Sequence, residues 1–305
     1  MPVHNGERYL GEAVESILAQ TLEDFEFLVI DDGSTDSSVS IIEKRRDPRI
    51  RLVRNDGNLG LVASLNRGLE LASGKYVARM DADDISAPQR IERQLDFLER
   101  NPTVAVLGTN LIRIHPDGTP CDDQPPPYPT GSAYLGWKIF WRCALQHPTV
   151  MMRKDVVRTL GGYQQVWLAE DYDLWLRISR EHEIDNLREF LLSYRVHPES
   201  VSLKNKDEQM MQTADLVAGY LGEWLKEDVD SKVLREKITG QIVPGSGSAE
   251  YVADLMIKTL KAVRGRKPIS LSASIRIKSE ILFGHKLFRP TRLFSVKNIA
   301  RICGA

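Results

Sequence analysis

A strand-like run, YVARM at 76–80, leads directly into Asp81-Ala82-Asp83-Asp84, so three carboxylates fall within four positions at the end of an apolar segment. Two similar runs precede it. Residues 26–30 (EFLVI) end in Asp31-Asp32, and residues 50–54 form a third short apolar stretch. Between these runs, residues 8–20, 37–46 and 61–72 carry apolar side chains at three- and four-residue spacing, the period of a crossover helix. Strands alternating with helices of this length specify an α/β fold, a doubly wound and mainly parallel sheet flanked by helices. In open sheets of that kind ligands gather beyond the carboxyl ends of the strands. Both acidic clusters, Asp31-Asp32 and Asp81 to Asp84, are therefore expected to face one crevice.

The pattern continues with a helix from Pro88 to Arg100, a strand over 104–114 and a Pro-rich loop over 116–129, whose length suits a lid or an acceptor-binding segment. A helix over 171–183 and a strand ending at His197 follow. Residues 204–240 read as charged amphipathic helix, and VPGSGS at 243–248 as a linker. Two units are thus predicted, a catalytic domain over 1–203 and a helical C-terminal extension over 204–305. One element is out of place. The alternation calls for an apolar strand ahead of Pro2-Val3, so the first strand is expected to be truncated at Met1, with the native start upstream; a missing buried strand would leave unpaired backbone groups on both neighbours.

The 305 residues, 42% hydrophobic and 27% charged, describe an ordinary globular protein able to bury a core. Three well-separated cysteines, Cys121, Cys143 and Cys303, supply neither a disulfide framework nor a CxxC metal site. With no signal peptide and no long apolar span, the chain is expected to be cytoplasmic. A formal net charge of -1 conceals a polarity: residues 258–305 hold twelve Lys or Arg against the single acid Glu280, leaving 29 basic and 41 acidic residues in 1–257. For that basic amphipathic tail two readings stand, a peripheral helix on an anionic membrane surface and an ordinary helix packed on the domain. No nucleic-acid recognition motif is present.

Three carboxylates in the 81–84 tetrad repel one another unless a cation neutralises them. Oxygen ligands of this kind suit Mg²⁺ or Mn²⁺, which complete their shell with water and substrate phosphates. The alternative is a solvated acidic turn. Asp32 admits a similar pair of readings, since the segment DDGSTD either caps the next helix or accepts hydrogen bonds from a nucleobase or ribose. Glu170-Asp171 opens an amphipathic helix, where acids commonly complement the helix dipole; a general base for a sugar hydroxyl would need the same carboxylate. His147 and His197 each stand where a strand meets a loop, a position most often structural. Arg195 or His197 could instead meet a diphosphate or a metal.

The pieces PVHNGERYL, DDGSTD, DADD, HPTVMMR, GGY, EDYDLWLR and YRVHPESVS occur in this order. Together they resemble the family 2 inverting glycosyltransferases of GT-A fold over residues 1–203. The resemblance implies donor contacts at Pro2, Val3, Asp32 and Asp81, a metal held by Asp83 that bridges the donor diphosphate, and Asp171 as base with Glu170 beside it near the acceptor. It also implies that His197 lies near the metal or diphosphate, and that His147 lines the acceptor side. His4 departs from the family pattern, where an aromatic is common.

The expected reaction is a single in-line displacement from a nucleotide-diphosphate sugar, with a UDP-sugar favoured, to a hydroxyl of a saccharide or lipid-linked saccharide in surface polysaccharide or lipopolysaccharide synthesis. Two rivals remain. A sugar nucleotidyltransferase could use the same βα cradle but commonly grips its triphosphate with a Gly-rich basic loop, which PVHNGERYL is not. A non-catalytic member of a polysaccharide assembly complex would not need the full set of acids found here.

Overall fold

The computed structural model describes residues 1–200, 204–239, 247–266 and 269–283. It divides into two compact units, one of residues 1–130 with 144–204, the other of residues 131–143 with 205–305.

The first unit holds two sheets. Strands β1 (Pro2–Val3), β2 (Phe27–Asp31) and β3 (Ile50–Arg54) pair in parallel in that order, linked by α1 (Leu10–Leu18) and α2 (Ser38–Glu43). Helix α1 buries Leu10, Ala13, Val14 and Ile17, an i, i+3, i+4, i+7 stripe, against Val3, Phe27, Val29 and Ile42. Each such aliphatic side chain contributes about 1.5–3 kcal/mol when fully buried. Helix α3 (Leu61–Leu71) leads to the second sheet, a mixed one in the order β4 (Tyr76–Ala78), β7 (Met151–Arg153), β6 (Val104–Ile114), β8 (Glu183–Arg195), β5 (Ile85–Ser86). Only β6 and β8 run parallel there; the other pairs are antiparallel.

The predicted α/β class, with parallel strands joined by helices, is the one found. Its boundaries shift by a few residues: the helix expected over 171–183 is α7 (Glu170–Ser179), because β8 already begins at Glu183. Strands β5 and β7, the short α5 (Ser132–Lys138) and α6 (Lys154–Thr159), and the 3-10 turn His147–Thr149 have no counterpart in the prediction. Strands of two or three residues give too few alternations to show a period.

Strand β1 pairs with β2 only at Pro2↔Ile30 and Val3↔Asp31, and no ladder joins it to β4. The Met1 ammonium group donates to the Leu28 carbonyl at 2.9 Å, and burial lowers its pKa to about 5. Beside it lies a cavity of about 500 Å³, walled by Leu28 and Ile30 of β2, Leu65 and Leu69 of α3, and Val77 and Ala78 of β4.

The second unit is helical: α5, then α8 (Lys206–Leu225), α9 (Ser231–Thr239), α10 (Gly247–Arg266) and α11 (Leu271–Phe283). Helix α5 is thus grouped with residues 205–305, not with the catalytic segments that flank it in sequence. Its Trp137 donates from Nε1 to the Met256 carbonyl at 3.2 Å, and Lys138 and Tyr134 both bind Glu280 of α11. Just beyond α5, Phe140 packs on Trp224 with ring centres 4.8 Å apart. The single helix expected over 204–240 is two, α8 ending where Lys226 adopts φ +57. Of the expected linker at 243–248 only the last two residues are described, as part of α10, and the basic tail beyond 283 lies outside the described residues. No described helix is long and apolar enough to cross a membrane.

Candidate active site

The end of β2 organises the first acidic cluster. Asp32, 4% exposed, accepts from Asn55 Nδ2 at 2.6 Å and from the backbone amides of Leu59 at 3.0 Å and Gly60 at 2.9 Å. Burial alone would raise this carboxyl; the hydrogen bonds outweigh it and hold the pKa below the ordinary 3.8. Gly33 is required between these parts, since its φ is +72 and a Cβ there would stand 2.6 Å from the Gly57 backbone. His4 completes the link: Nδ1 donates to the Asp32 carbonyl at 2.8 Å, leaving Nε2 to accept from Asn5 and Asn58 at 3.2 Å. Val3 is buried, and its carbonyl accepts from the Asp32 amide at 2.8 Å. Pro2, Val3 and Asp32 therefore form one connected edge that fixes the loop over 55–60.

The second cluster follows β4. Ligand oxygens of Asp81, Asp83 and Asp84 lie within 4.8 Å of one another. Asp84 is fully buried; one oxygen accepts from the Arg195 amide at 2.9 Å and the other, Oδ2, has no partner among the described residues. Burial, followed by the charges of Asp81 and Asp83, pushes Asp84 well above the usual carboxylate range. Asp81 is pushed up by burial and by Asp83 despite its 2.5 Å ion pair with Arg79. An orphaned buried oxygen among mutually repelling carboxylates is the donor set a hard divalent cation would neutralise, so these residues fit Mg²⁺ or Mn²⁺.

The end of β8 closes over this turn. His197 Nε2 meets Asp83 Oδ2 at 2.9 Å, its Nδ1 meets Glu199 Oε2 at 3.0 Å, and its ring packs on Tyr9. His197 thus stands against Asp83. Arg195 differs from the expectation of a donor contact. It is 1% exposed, and its guanidinium is engaged by the carbonyls of Asp83 at 2.8 Å and Pro116 at 2.9 Å, by Glu12 at 2.6 Å, and by the face of Tyr9. With those groups satisfied, Arg195 braces the acidic turn from behind.

Glu170 and Asp171 open α7. Asp171 Oδ1 accepts from the Tyr172 amide at 2.7 Å, yet burial and the adjacent Glu170 raise its pKa to about 7. Glu170 is also raised, by burial and by the charge of Asp81. His147, 7% exposed, shares a 2.9 Å hydrogen bond with the Tyr163 hydroxyl and packs edge-on to Trp175; burial drives its pKa far down, so the imidazole is neutral.

One residue joins these parts and was not singled out in the sequence. Arg79, 5% exposed, pairs with Asp81, and its charge acts on Asp84, Glu170, Asp171 and His147 alike. Its backbone is held by Val150 and by buried Arg90, whose Nη1 donates to the carbonyls of Arg79 and Pro148. The signal available in the sequence was a charge inside the apolar strand YVARM. On the other flank, Ala82 packs with Val3 and Met80, and a Cβ on Gly6 would lie 3.8 Å from that of Ala82. The acids at 81–84 and those at 170–171 thus share Arg79 as a neighbouring charge.

A parallel βα half with acids at the end of β2, joined to a mixed sheet whose β4 runs into three further acids, is the arrangement of the GT-A fold. Residues 1–160 match the family described as Glycosyl transferase family 2. The chain is 38% identical over 213 residues to the putative glycosyltransferase EpsE of Bacillus subtilis, covering 68% of this chain and 74% of that protein. Among solved structures, S. aureus TarS 1-349 in complex with UDP shares the fold with a TM-score of 0.59 at 18% identity, over 91% of this chain and 76% of that one. The mannosyltransferase PcManGT from Pyrobaculum calidifontis, solved with GDP-Man and Mn²⁺, does so with a TM-score of 0.56 at 15% identity, over 95% and 79%. The chain belongs to glycosyl transferase family 2.

Proposed function

We propose that this protein is a metal-dependent, inverting glycosyltransferase that moves a sugar from a nucleoside-diphosphate donor to a hydroxyl group of a surface polysaccharide or lipopolysaccharide acceptor. The observation that carries this reading is the Asp81-Asp83-Asp84 turn, whose ligand oxygens lie within 4.8 Å of one another, in a chain of glycosyl transferase family 2.

Asp171 accepts the proton of the acceptor hydroxyl as its oxygen attacks the anomeric carbon, while the bond from that carbon to the diphosphate breaks and its electron pair leaves with the nucleoside diphosphate. A base poised near the working pH is efficient because it is both available and able to take the proton. Asp83, with Asp81, Asp84 and His197 around it, would hold the cation, which supplies Lewis-acid stabilisation of the departing diphosphate. Asp32, Pro2 and Val3 present the nucleoside side of the cleft through the loop they hold. UDP is the favoured nucleotide, supported by the UDP complex of TarS, with GDP the alternative set by the mannosyltransferase. A peripheral membrane contact through residues 258–305 and a cytoplasmic location belong to the same reading.

Calorimetry with UDP and GDP, each with and without Mn²⁺, tests it. UDP is expected to bind only with the cation present. Failure of both nucleotides to bind in either condition would remove the donor site.

A further inference from the structure

The segment leading into α7 carries an exposed indole that the fold holds outward. Trp167 is 62% exposed, whereas its neighbour Leu168 is 9% exposed and sits at φ +60, a left-handed conformation unusual for a leucine. That conformation is strained for a residue with a Cβ and persists only where the surroundings impose it. Here Leu168 turns inward and Trp167 is left standing in solvent, four residues ahead of Asp171.

The start of the segment is firmly tied. Asn66 on α3 bonds both the amide and the carbonyl of Tyr163 at 2.9 Å, and Arg177 of α7 donates to the carbonyls of Leu160 and Gly162 at 2.8 Å. Gly162 could not carry a side chain, for a Cβ would come within 2.5 Å of Asn66 Oδ1. The exposed Trp is therefore mounted on an anchored loop, the arrangement that lowers the entropic cost of binding.

We propose that Trp167 is a stacking platform for a pyranose ring of the acceptor, so that the acceptor presents a saccharide, not a bare lipid alcohol or a protein side chain, next to Asp171. The inference rests on the reading of Asp171 as base. The chemistry of the segment GGYQQVWLAED favours this occupant. An indole face is electron-rich and attracts the C–H groups of a sugar's apolar face. Gln164 and Gln165, both exposed, offer amides that donate to and accept from hydroxyls. No Lys or Arg lies in the segment and two acids close it, which disfavours an anionic lipid surface.

The test uses the full chain with ¹⁵N-labelled tryptophan. The indole resonance of Trp167 is assigned by its loss in Trp167→Phe, and methyl pyranosides of glucose, galactose, mannose and N-acetylglucosamine are titrated in the presence of UDP and Mn²⁺. At least one glycoside is expected to shift that resonance, with affinity reduced about tenfold in Trp167→Ala and largely kept in Trp167→Phe. A Trp167 resonance indifferent to every glycoside overturns the proposal, as does a response to phosphatidylglycerol vesicles alone or equal glycoside affinity in Trp167→Ala. UDP binding by the unmodified protein is measured in parallel. Bound UDP without a glycoside response sinks the platform and spares the donor site, whereas absent UDP binding sinks the donor site itself.

Discussion

Asp32 and Asp171 are the same residue type, yet their surroundings treat them in opposite ways. Asp32 is gripped by a side-chain amide and two backbone amides, which hold its pKa below 3.8. Asp171 is half-buried beside another acid, accepts from its neighbour's amide, and is raised to about 7. A carboxylate fully supplied with donors is a fixed anchor; one starved of them gains by taking a proton. The contrast supports the proposal that the first holds its loop and the second transfers the proton.

The largest effect that could break this contrast is the loss of the base. Asp171→Asn is expected to lower turnover by about 10²–10⁴-fold while nucleoside diphosphate still binds; turnover within threefold of the parent rejects the assignment. Next comes Asp83→Ala, which removes a proposed ligand outright and should weaken Mn²⁺-dependent UDP affinity by more than the roughly 10–100-fold typical of an outer-shell partner. Equal affinity by calorimetry would clear Asp83 of the metal.

Asp32→Ala tests the anchor. It strands the Asn55 amide and two backbone N–H groups, so urea denaturation should show a loss of about 3 kcal/mol. A midpoint unchanged from the parent would mean the loop over 55–60 is held by something else.

The smallest effects concern pH. Asp32, depressed in the folded state, contributes stability present above 3.8 and lost as pH falls. Asp171, raised in the folded state, contributes stability that is full below 3.8 and lost as pH rises through about 7. Asp171→Asn should therefore gain Tm relative to the parent as pH increases from 4 to 7, then level off. Turnover of the parent should rise over the same region as the base ionises. A Tm difference independent of pH would show that Asp171 is not displaced from its ordinary pKa.

Much of this arrangement was legible because it follows from local pattern. The strand Ile50–Arg54 and the helix stripe of α1 are set by apolar spacing, and the acids at 32, 81–84 and 170–171 mark their own strand and helix ends. Arg79 escaped notice because a single charge in an apolar run has no local meaning; its role comes from Asp81 on one side and from the acids of α7, about ninety residues later, on the other. Arg195 was misdirected for the same reason. A basic residue near a metal-type turn suggests a phosphate ligand, but Glu12 and the carbonyls of Asp83 and Pro116 claim it, and none of these is near it in sequence. Helix α5 has no counterpart in the prediction because SAYLGWK is only seven residues, two turns that are too few to display a helical period.

That short helix has a consequence for how the chain is made. Tyr134, Leu135, Trp137, Phe140 and Trp141 are all buried, and residues supplied by 205–283 cover them. They leave the ribosome some seventy residues before their shelter begins to exist, so nascent protein carries an aromatic-rich face that invites aggregation until the segment beyond residue 205 has been made. A shortened gene ending near residue 203 would make that interval permanent.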